Sequence, residues 1–271
     1  MQLPTGASRL VFILAHPADH VGAPRFYSPY FWENGLDWHM VPLDVRPEHL
    51  TETLRNLSRS RSVAGFNLTM PHKPAAFALC DAVGPAATFE GVVNTIRVEA
   101  NGRLVGDSFD GAGFLDAARA EGVFDPDRRC VVIGAGAAGR AICHALAGAG
   151  VRRMGILNET SAPVEALVAK LHGHFEGLNI RFDETFDDTG LLVNATSLGL
   201  HATDPMPVDP AKVPADCAVF DIIAARRTEL MEAATARGLR VVGGVSMIKH
   251  QLPLQTAFWR GDGLKPDDSR K

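Results

Sequence analysis

A chain of 271 residues, 46 % apolar and 21 % charged, has the composition of a soluble globular protein, which excludes disorder, collagen and coiled coil. Its length gives a prior of roughly two domains, large enough to bury a core without a disulfide or structural metal. The formal net charge is −4, from 27 basic against 31 acidic residues, and no basic block supports a nucleic-acid partner.

Leu10–Leu14 is a short apolar run ending in a Pro- and Gly-rich loop, which predicts a buried strand. A helix is expected over Tyr30–Leu36 and a second strand over Trp38–Leu43. Leu50, Leu54 and Leu57 recur at helical spacing within Pro47–Ser60. Val63–Leu68 reads as a third strand, Pro74–Cys80 as a helix, and Gly91–Val98 before Asn101-Gly102 as a hairpin. The pattern then changes. A helix over Ala112–Gly122 leads to the strand Cys130–Ile133, a glycine turn and an Ala-rich helix to Gly148. Strands at Met154–Leu157, Leu191–Val193, Ala218–Phe220 and Arg240–Val242 alternate with helices at Val164–His174 and Glu229–Arg237. That alternation indicates parallel βαβ units. Met247–Trp259 is the last helix.

No stretch approaches the ~20 apolar residues of a membrane helix, and Leu10–Ala15 is too short for a signal-peptide core. Cys80, Cys130, Cys143 and Cys217 are far apart, which suits free thiols in a reducing compartment. The expectation is a cytoplasmic protein with no membrane partner, monomeric or homodimeric.

Gly134-Ala135-Gly136-Ala137-Ala138-Gly139 has the G-x-G-x-x-G spacing, with a predicted strand before it and a helix after it. Such a loop turns tightly at its first glycine, lets the backbone approach a pyrophosphate at its second and packs helix on strand at its third. The anion sits on the helix N-terminus, where unpaired N–H groups and the dipole attract it. The next strand ends in Asn158-Glu159. A carboxylate there accepts from the ribose hydroxyls of NAD and repels the extra phosphate of NADP, so NAD is expected over NADP, with Arg152 or Arg153 as alternative phosphate readers. His16 and His20 have metal-pair spacing, but the intervening Pro17 makes this a loop, and no metal is expected.

Three further turns are polar at the ends of apolar segments: Asn67-Leu68-Thr69-Met70-Pro71-His72-Lys73, Gly91-Val92-Val93-Asn94-Thr95 and Gly106-Asp107-Ser108-Phe109-Asp110-Gly111. With the glycine loop and Asn194-Ala195-Thr196-Ser197-Leu198-Gly199, they resemble, in order, the motifs of the shikimate dehydrogenase family: N-V-T-x-P-x-K, G-A-x-N-T, G-x-N-x-D-G and N-A-T-x-x-G. The resemblance runs from Ile13 to about Phe258. It implies an α/β fold in which residues 1–110 and 246–271 form a substrate domain and 111–245 a Rossmann NAD(P)-binding domain, with the C-terminal helix returning to the first domain. It implies reversible oxidation of shikimate, or a related hydroxylated ring carboxylate, to the 3-dehydro ketone. Quinate or an amino analogue, and a non-catalytic NAD-binding homologue, are the alternatives.

The resemblance also assigns roles. Lys73 and Asp110 form the catalytic dyad and are best treated as one proton-handling unit. Asn67, Thr69, Asn94 and Gln251 bind the substrate, Asn94 and Thr69 orienting its hydroxyls and Asn67 also buttressing the loop. Asn194, Ala195, Thr196, Ser197 and Leu198 line the cofactor, and Gly244 and Met247 belong to a glycine turn beside the nicotinamide. The chain departs from the family in its first loop, where S-x-S-P is usual and Val21-Gly22-Ala23-Pro24 stands instead. The substrate-facing positions Val21 and Ala23 lack hydroxyls, and Ala224 stands where a pocket tyrosine is usual. Each lost hydrogen bond to a charged group costs ~1.5–3 kcal/mol, so weak shikimate binding or a substrate altered near its carboxylate is expected.

Overall fold

The computed structural model describes residues 3–182 and 185–262. The described residues divide into two compact units, one of residues 3–109 with 251–262 and the other of residues 110–182 with 185–250. The first unit contains β1 (Arg9–Ala15), α1 (Pro24–Glu33), β2 (Trp38–Asp44), α2 (Leu50–Leu57), β3 (Val63–Leu68), α3 (Lys73–Leu79), β4 (Ala82–Val83), α4 (Pro85–Glu90), β5 (Thr95–Val98) and β6 (Leu104–Asp107). Its sheet runs β2-β1-β3-β5-β6-β4. β1 pairs parallel with β2 and β3, whereas β5 is antiparallel to both β3 and β6.

All six residues of β3 are buried, which its unbroken run Val-Ala-Gly-Phe-Asn-Leu anticipates for a central strand. Leu50 and Leu54 turn the buried face of α2 inward, onto a core built around Leu14, Phe66, Leu68, Ile96 and Leu104. Each such fully buried side chain contributes ~1.5–3 kcal/mol.

The second unit contains α5 (Asp110–Ala120), β7 (Arg129–Ile133), α6 (Ala137–Gly148), β8 (Arg153–Leu157), α7 (Ser161–His174), β9 (Asn179–Arg181), β10 (Thr189–Asn194), β11 (Ala218–Asp221), α8 (Glu229–Ala236), β12 (Arg240–Gly243) and the start of α9 (Gly244–Arg260). The sheet order is β12-β11-β10-β7-β8-β9, all parallel. That is the doubly wound Rossmann order, with its switch point between β7 and β10. In α7, Val164, Leu167, Val168 and Leu171 form the buried stripe that period 3.6 demands. The end of α9, from Gln251, belongs to the first unit.

Three local expectations need correction. The first helix starts at Pro24, not Tyr30, because Pro24 occupies its opening turn and Pro29 is carried inside it. Gly91–Asn94 is not strand: Gly91 closes α4 in the left-handed conformation at φ 69°, and β5 begins only at Thr95. The last helix starts at Gly244 rather than Met247, directly after β12, so the expected Gly243-Gly244 turn is a strand-to-helix junction.

Candidate functional site

The polar motifs of the first unit gather where β1, β3 and β6 end. Thr69 N–H donates to Leu14 O at 3.0 Å, and His16 N–H donates to Met70 O at 3.2 Å. The loop then crosses the cis Met70–Pro71 bond, and Lys73 opens α3. Backbone bonds tie this loop to the second motif: Leu68 N–H to Asn94 O at 2.7 Å and Val93 N–H to Lys73 O at 3.0 Å. Asn94 is buried, and its Oδ1 accepts from Thr95 Oγ1 at 2.7 Å and from Phe109 N–H at 3.1 Å. Asp107 Oδ1 accepts from Ala87 and Ser108 N–H groups at 2.8 and 2.9 Å. Asn67, Thr69, Lys73 and Asn94 are therefore brought to one edge of the first sheet. That edge holds the carboxyl ends of parallel strands, where α/β sheets bind ligands.

His72 separates Pro71 from Lys73 and is only 1 % exposed. Burial holds its pKa below the ordinary imidazole value, against the pull of the Val45 and Ala15 backbone. His16 Nδ1 and Asp44 Oδ1 are 2.7 Å apart, and this bond holds the Asp44 carboxyl below its usual range. In the first loop Ala23 is the residue before α1 and supplies no side-chain cap, and Val21 N–H bonds to Ala18 O at 3.0 Å. Gln251 is buried in α9. Asp110 is the buried first residue of α5, in the second unit.

The second unit carries the glycine loop between β7 and α6. Gly134 has φ 105°, which an L side chain rarely adopts, and its N–H bonds to Leu157 O at 2.7 Å. A methyl group at Gly139 would overlap the Gly134 carbonyl. Space beside Gly136 is open, and no side chain caps α6 there. Ala135 N–H bonds sideways to Asn158 Oδ1 at 3.0 Å. The leading N–H groups of α6, from Ala137 through Gly139, are left for an anion. These features fit the diphosphate of a dinucleotide.

Asn158 Nδ2 bonds to Thr160 O at 3.1 Å and to its Oγ1 at 3.2 Å. Glu159, between them, is exposed. The basic candidates lie elsewhere. Arg153 opens β8 and binds Asp188 and Asp127 O, while Arg152 binds Ala147 O and Val151 O. At ~3.3 Å per residue, Arg153 is about 13 Å from the Leu157 end of the strand.

The loop after β10 is organised from within. Asn194 is fully buried, and its Oδ1 accepts from Thr196 N–H at 3.1 Å and Thr196 Oγ1 at 2.7 Å. Its Nδ2 donates to Leu198 O and Asp221 Oδ1, both at 3.1 Å. Ala195 N–H pairs with Ile133 O at 2.8 Å, beside the glycine loop, while Ser197 is exposed. Sequence reasoning missed Asp221, which also accepts from Thr228 Oγ1 at 2.7 Å and from Ile223 N–H at 3.1 Å. Burial raises its pKa, and those donors oppose the rise. Arg226 donates to Gly199 O and grips both Glu229 oxygens at 2.8 and 2.7 Å. The i, i+3 spacing of Arg226 and Glu229 is the local signal of such a pair. Gly244 and Met247 are buried at the start of α9, Gly244 packing against Ile222. Among the described residues no group of three or more His, Cys, Asp and Glu side chains could hold a metal ion, and no helix is long and apolar enough to cross a membrane.

Two family models match the chain: the shikimate dehydrogenase substrate binding domain over residues 13–96 and shikimate / quinate 5-dehydrogenase over residues 118–222. The shikimate dehydrogenase (NADP(+)) of Methylobacterium radiotolerans is 38 % identical over 265 residues, covering 94 % of this chain and 92 % of that protein. The shikimate 5-dehydrogenase of Thermus thermophilus, solved with NADP(H) and shikimate, is 32 % identical with a TM-score of 0.83 over 97 % of this chain and 96 % of that one. The Listeria monocytogenes enzyme, solved with shikimate and NAD, is 25 % identical with a TM-score of 0.82 over 96 % and 94 %.

Proposed function

The chain belongs to the shikimate dehydrogenase family, and from that premise we propose that it oxidises shikimate, or a closely related hydroxylated ring carboxylate, reversibly to the 3-dehydro ketone with NAD preferred over NADP. The observation that carries the reaction is the single sheet edge shared by Asn67, Thr69, Lys73 and Asn94, framed by backbone bonds between the two motif loops. Lys73 and Asp110 handle the proton of the substrate hydroxyl as one unit. A base within reach of that hydroxyl is worth ~10²–10⁴ in rate. Asn94, Thr69 and Gln251 orient the ring hydroxyls.

The glycine loop, Gly134 to Gly139, would hold the dinucleotide's diphosphate on the backbone N–H groups of Ala137 through Gly139, with Ala135 N–H held by Asn158. The Asn194–Leu198 loop and Gly244 with Met247 would flank it. When bound, the nicotinamide supplies the hydride acceptor. The preference for NAD rests on Glu159: it is exposed beside the pinned Asn158, and both nearby arginines are engaged at the other end of β8. The relatives named above as NADP(+) enzymes make this preference the point to measure. We further place the protein in the cytoplasm, as a monomer or homodimer. Its four free cysteines are all buried, and burial pushes Cys217 to about 11 and Cys130 to about 12, as suits thiols kept reduced.

The test is a turnover panel of shikimate and quinate, each with NAD and with NADP. Shikimate with NAD is expected to give the highest kcat/KM, with a KM raised by the hydroxyl-free Val21 and Ala23. A panel in which the nucleotide binds but no hydroxy acid turns over would sink the reading.

A further inference from the structure

One buried polar cluster extends from Asn67 to two residues that have no part in the chemistry above, Gln255 and Tyr27. Gln255 lies one helical turn beyond Gln251 on α9 and is fully buried. Its Oε1 accepts two hydrogen bonds, from the Tyr27 hydroxyl at 2.5 Å and from Asn67 Nδ2 at 3.0 Å. The two donors come from α1 and from the carboxyl end of β3. Aromatic packing fixes the frame. The Tyr27 ring stands edge-on to Trp259 with centroids 5.8 Å apart and lies 6.0 Å from Phe31. Trp259, one turn past Gln255, is itself held by its Nε1–H bond to Ile96 O at 3.1 Å.

The cluster has a direction. An amide nitrogen only donates and an amide oxygen only accepts. Asn67 commits one of its two amide N–H donors to Gln255, and its oxygen is the acceptor left to meet a ligand. Among the described residues that oxygen takes no hydrogen bond, and it is not one of the enclosed polar atoms. It stands two residues before Thr69, on the strand end where ligands of α/β sheets bind. Meanwhile Gln255 Nε2 is buried and has no hydrogen-bond partner among the described residues. An unpaired buried donor is costly, and packing alone gives no return for it.

We infer that Gln255 and Tyr27 are positioning residues that hold Asn67 with its oxygen outward, so that the site meets a substrate hydroxyl at this point and rejects a carboxylate or keto oxygen. The inference rests on the reaction proposed above and deepens it. A hydroxyl donates to the Asn67 oxygen. A carboxylate would set acceptor against acceptor. The ring is therefore seated with a hydroxyl-bearing carbon toward β3 and its acid group turned elsewhere.

The test uses the full-length enzyme and two substitutions at one position. Gln255→Leu removes the acceptor, whereas Gln255→Glu keeps an acceptor that can hold Asn67 only in the stated orientation. Gln255→Leu is expected to raise the shikimate KM at least tenfold while kcat falls less than threefold, and Gln255→Glu to recover most of that loss. In a double-mutant cycle, Asn67→Ala should lower kcat/KM tenfold or more in the wild type but less than twofold in the Gln255→Leu background. Equal Asn67→Ala effects in both backgrounds, or Gln255→Glu as harmful as Gln255→Leu, overturn the inference. If Gln255→Leu does not fold, Tyr27→Phe replaces it in the cycle with the same thresholds.

Wild-type turnover is scored first, because its absence sinks the reaction reading and not this one. The inference is then judged on ligand-free, ¹⁵N-labelled protein. The Asn67 side-chain amide protons should exchange slowly with solvent in the wild type and in Gln255→Glu, and at least tenfold faster in Tyr27→Phe. Fast exchange in the wild type, or no change in Tyr27→Phe, overturns it.

Discussion

Asn158 Oδ1 accepts the backbone N–H of Ala135 at 3.0 Å, joining the turn after β8 to the middle of the glycine loop. The bond fixes where Glu159 begins, one residue beyond a side chain that is pinned at both its oxygen and its nitrogen. Replacing Glu159 with Arg puts a cation where a 2′-phosphate would sit. Glu159→Arg should raise kcat/KM for NADP at least tenfold and lower that for NAD. Steady-state kinetics with both nucleotides check this, and an unchanged NAD/NADP ratio would show that Glu159 does not read the ribose.

Gly139 has no room for a side chain because the Gly134 carbonyl fills the space. Overpacking of this kind costs ~1–3 kcal/mol. Gly139→Ala should lower the Tm by several degrees and weaken NAD binding at least tenfold in a fluorescence titration. Gly136→Ala, where the space is open, should keep the wild-type Tm and lose only affinity.

Lys73 and Asp110 are expected to act as one unit. Lys73→Ala should reduce kcat by ~10²–10⁴ and leave the urea midpoint close to that of the wild type. Adding Asp110→Asn to Lys73→Ala should cost little more, since residues acting together are not additive. Stopped-flow and steady-state rates decide; additive losses would separate the two roles.

Restoring hydroxyls to the first loop offers a gain-of-function test. Hydrogen bonds to a charged group are worth ~1.5–3 kcal/mol each. Val21→Ser with Ala23→Ser should therefore lower the shikimate KM by roughly one order of magnitude or more. A KM that stays level or rises would mean the natural substrate has no carboxylate at this loop.

His72 supplies a pH dependence of stability. Its folded pKa is depressed by burial below the ordinary 6.5. Below that pH the unfolded chain takes up a proton that the folded chain refuses. Stability from this group is thus complete above pH 6.5 and is lost as pH falls toward the depressed value, by at most ~1.4 kcal/mol per pH unit. Urea midpoints of wild type and His72→Gln between pH 7 and 5 should diverge in that window. Parallel curves would exclude a buried neutral histidine.

Much of the fold was readable because its signals are local. β3 was legible to the residue from a largely apolar run, interrupted only by Asn67, between polar turns. The glycine loop was found because strand, turn and helix occur in one segment. α4 was missed, although Pro85 at its start and Gly91 at its end are the asymmetric pair that marks a short helix. β9 was missed because a three-residue edge strand, Asn-Ile-Arg, carries no periodicity. The candidate site divides in the same way. Lys73 and Asn94 sit in motifs, whereas the bond from Asn67 to Gln255 joins residues 188 positions apart. No local pattern marks such a pair, because only the seating of α9 on the first sheet creates it.

The anchor proposed for the cofactor is backbone, and its proposed reader is a single exposed side chain. A mutation in the anchor acts on the backbone that would carry the diphosphate, whereas Glu159 is exposed and can change without repacking a core. On the proposed reading, the choice of coenzyme would shift by one codon while the catalytic architecture stays fixed. Adaptation to a cell's oxidised or reduced nucleotide pool can proceed without revisiting the rest of the protein.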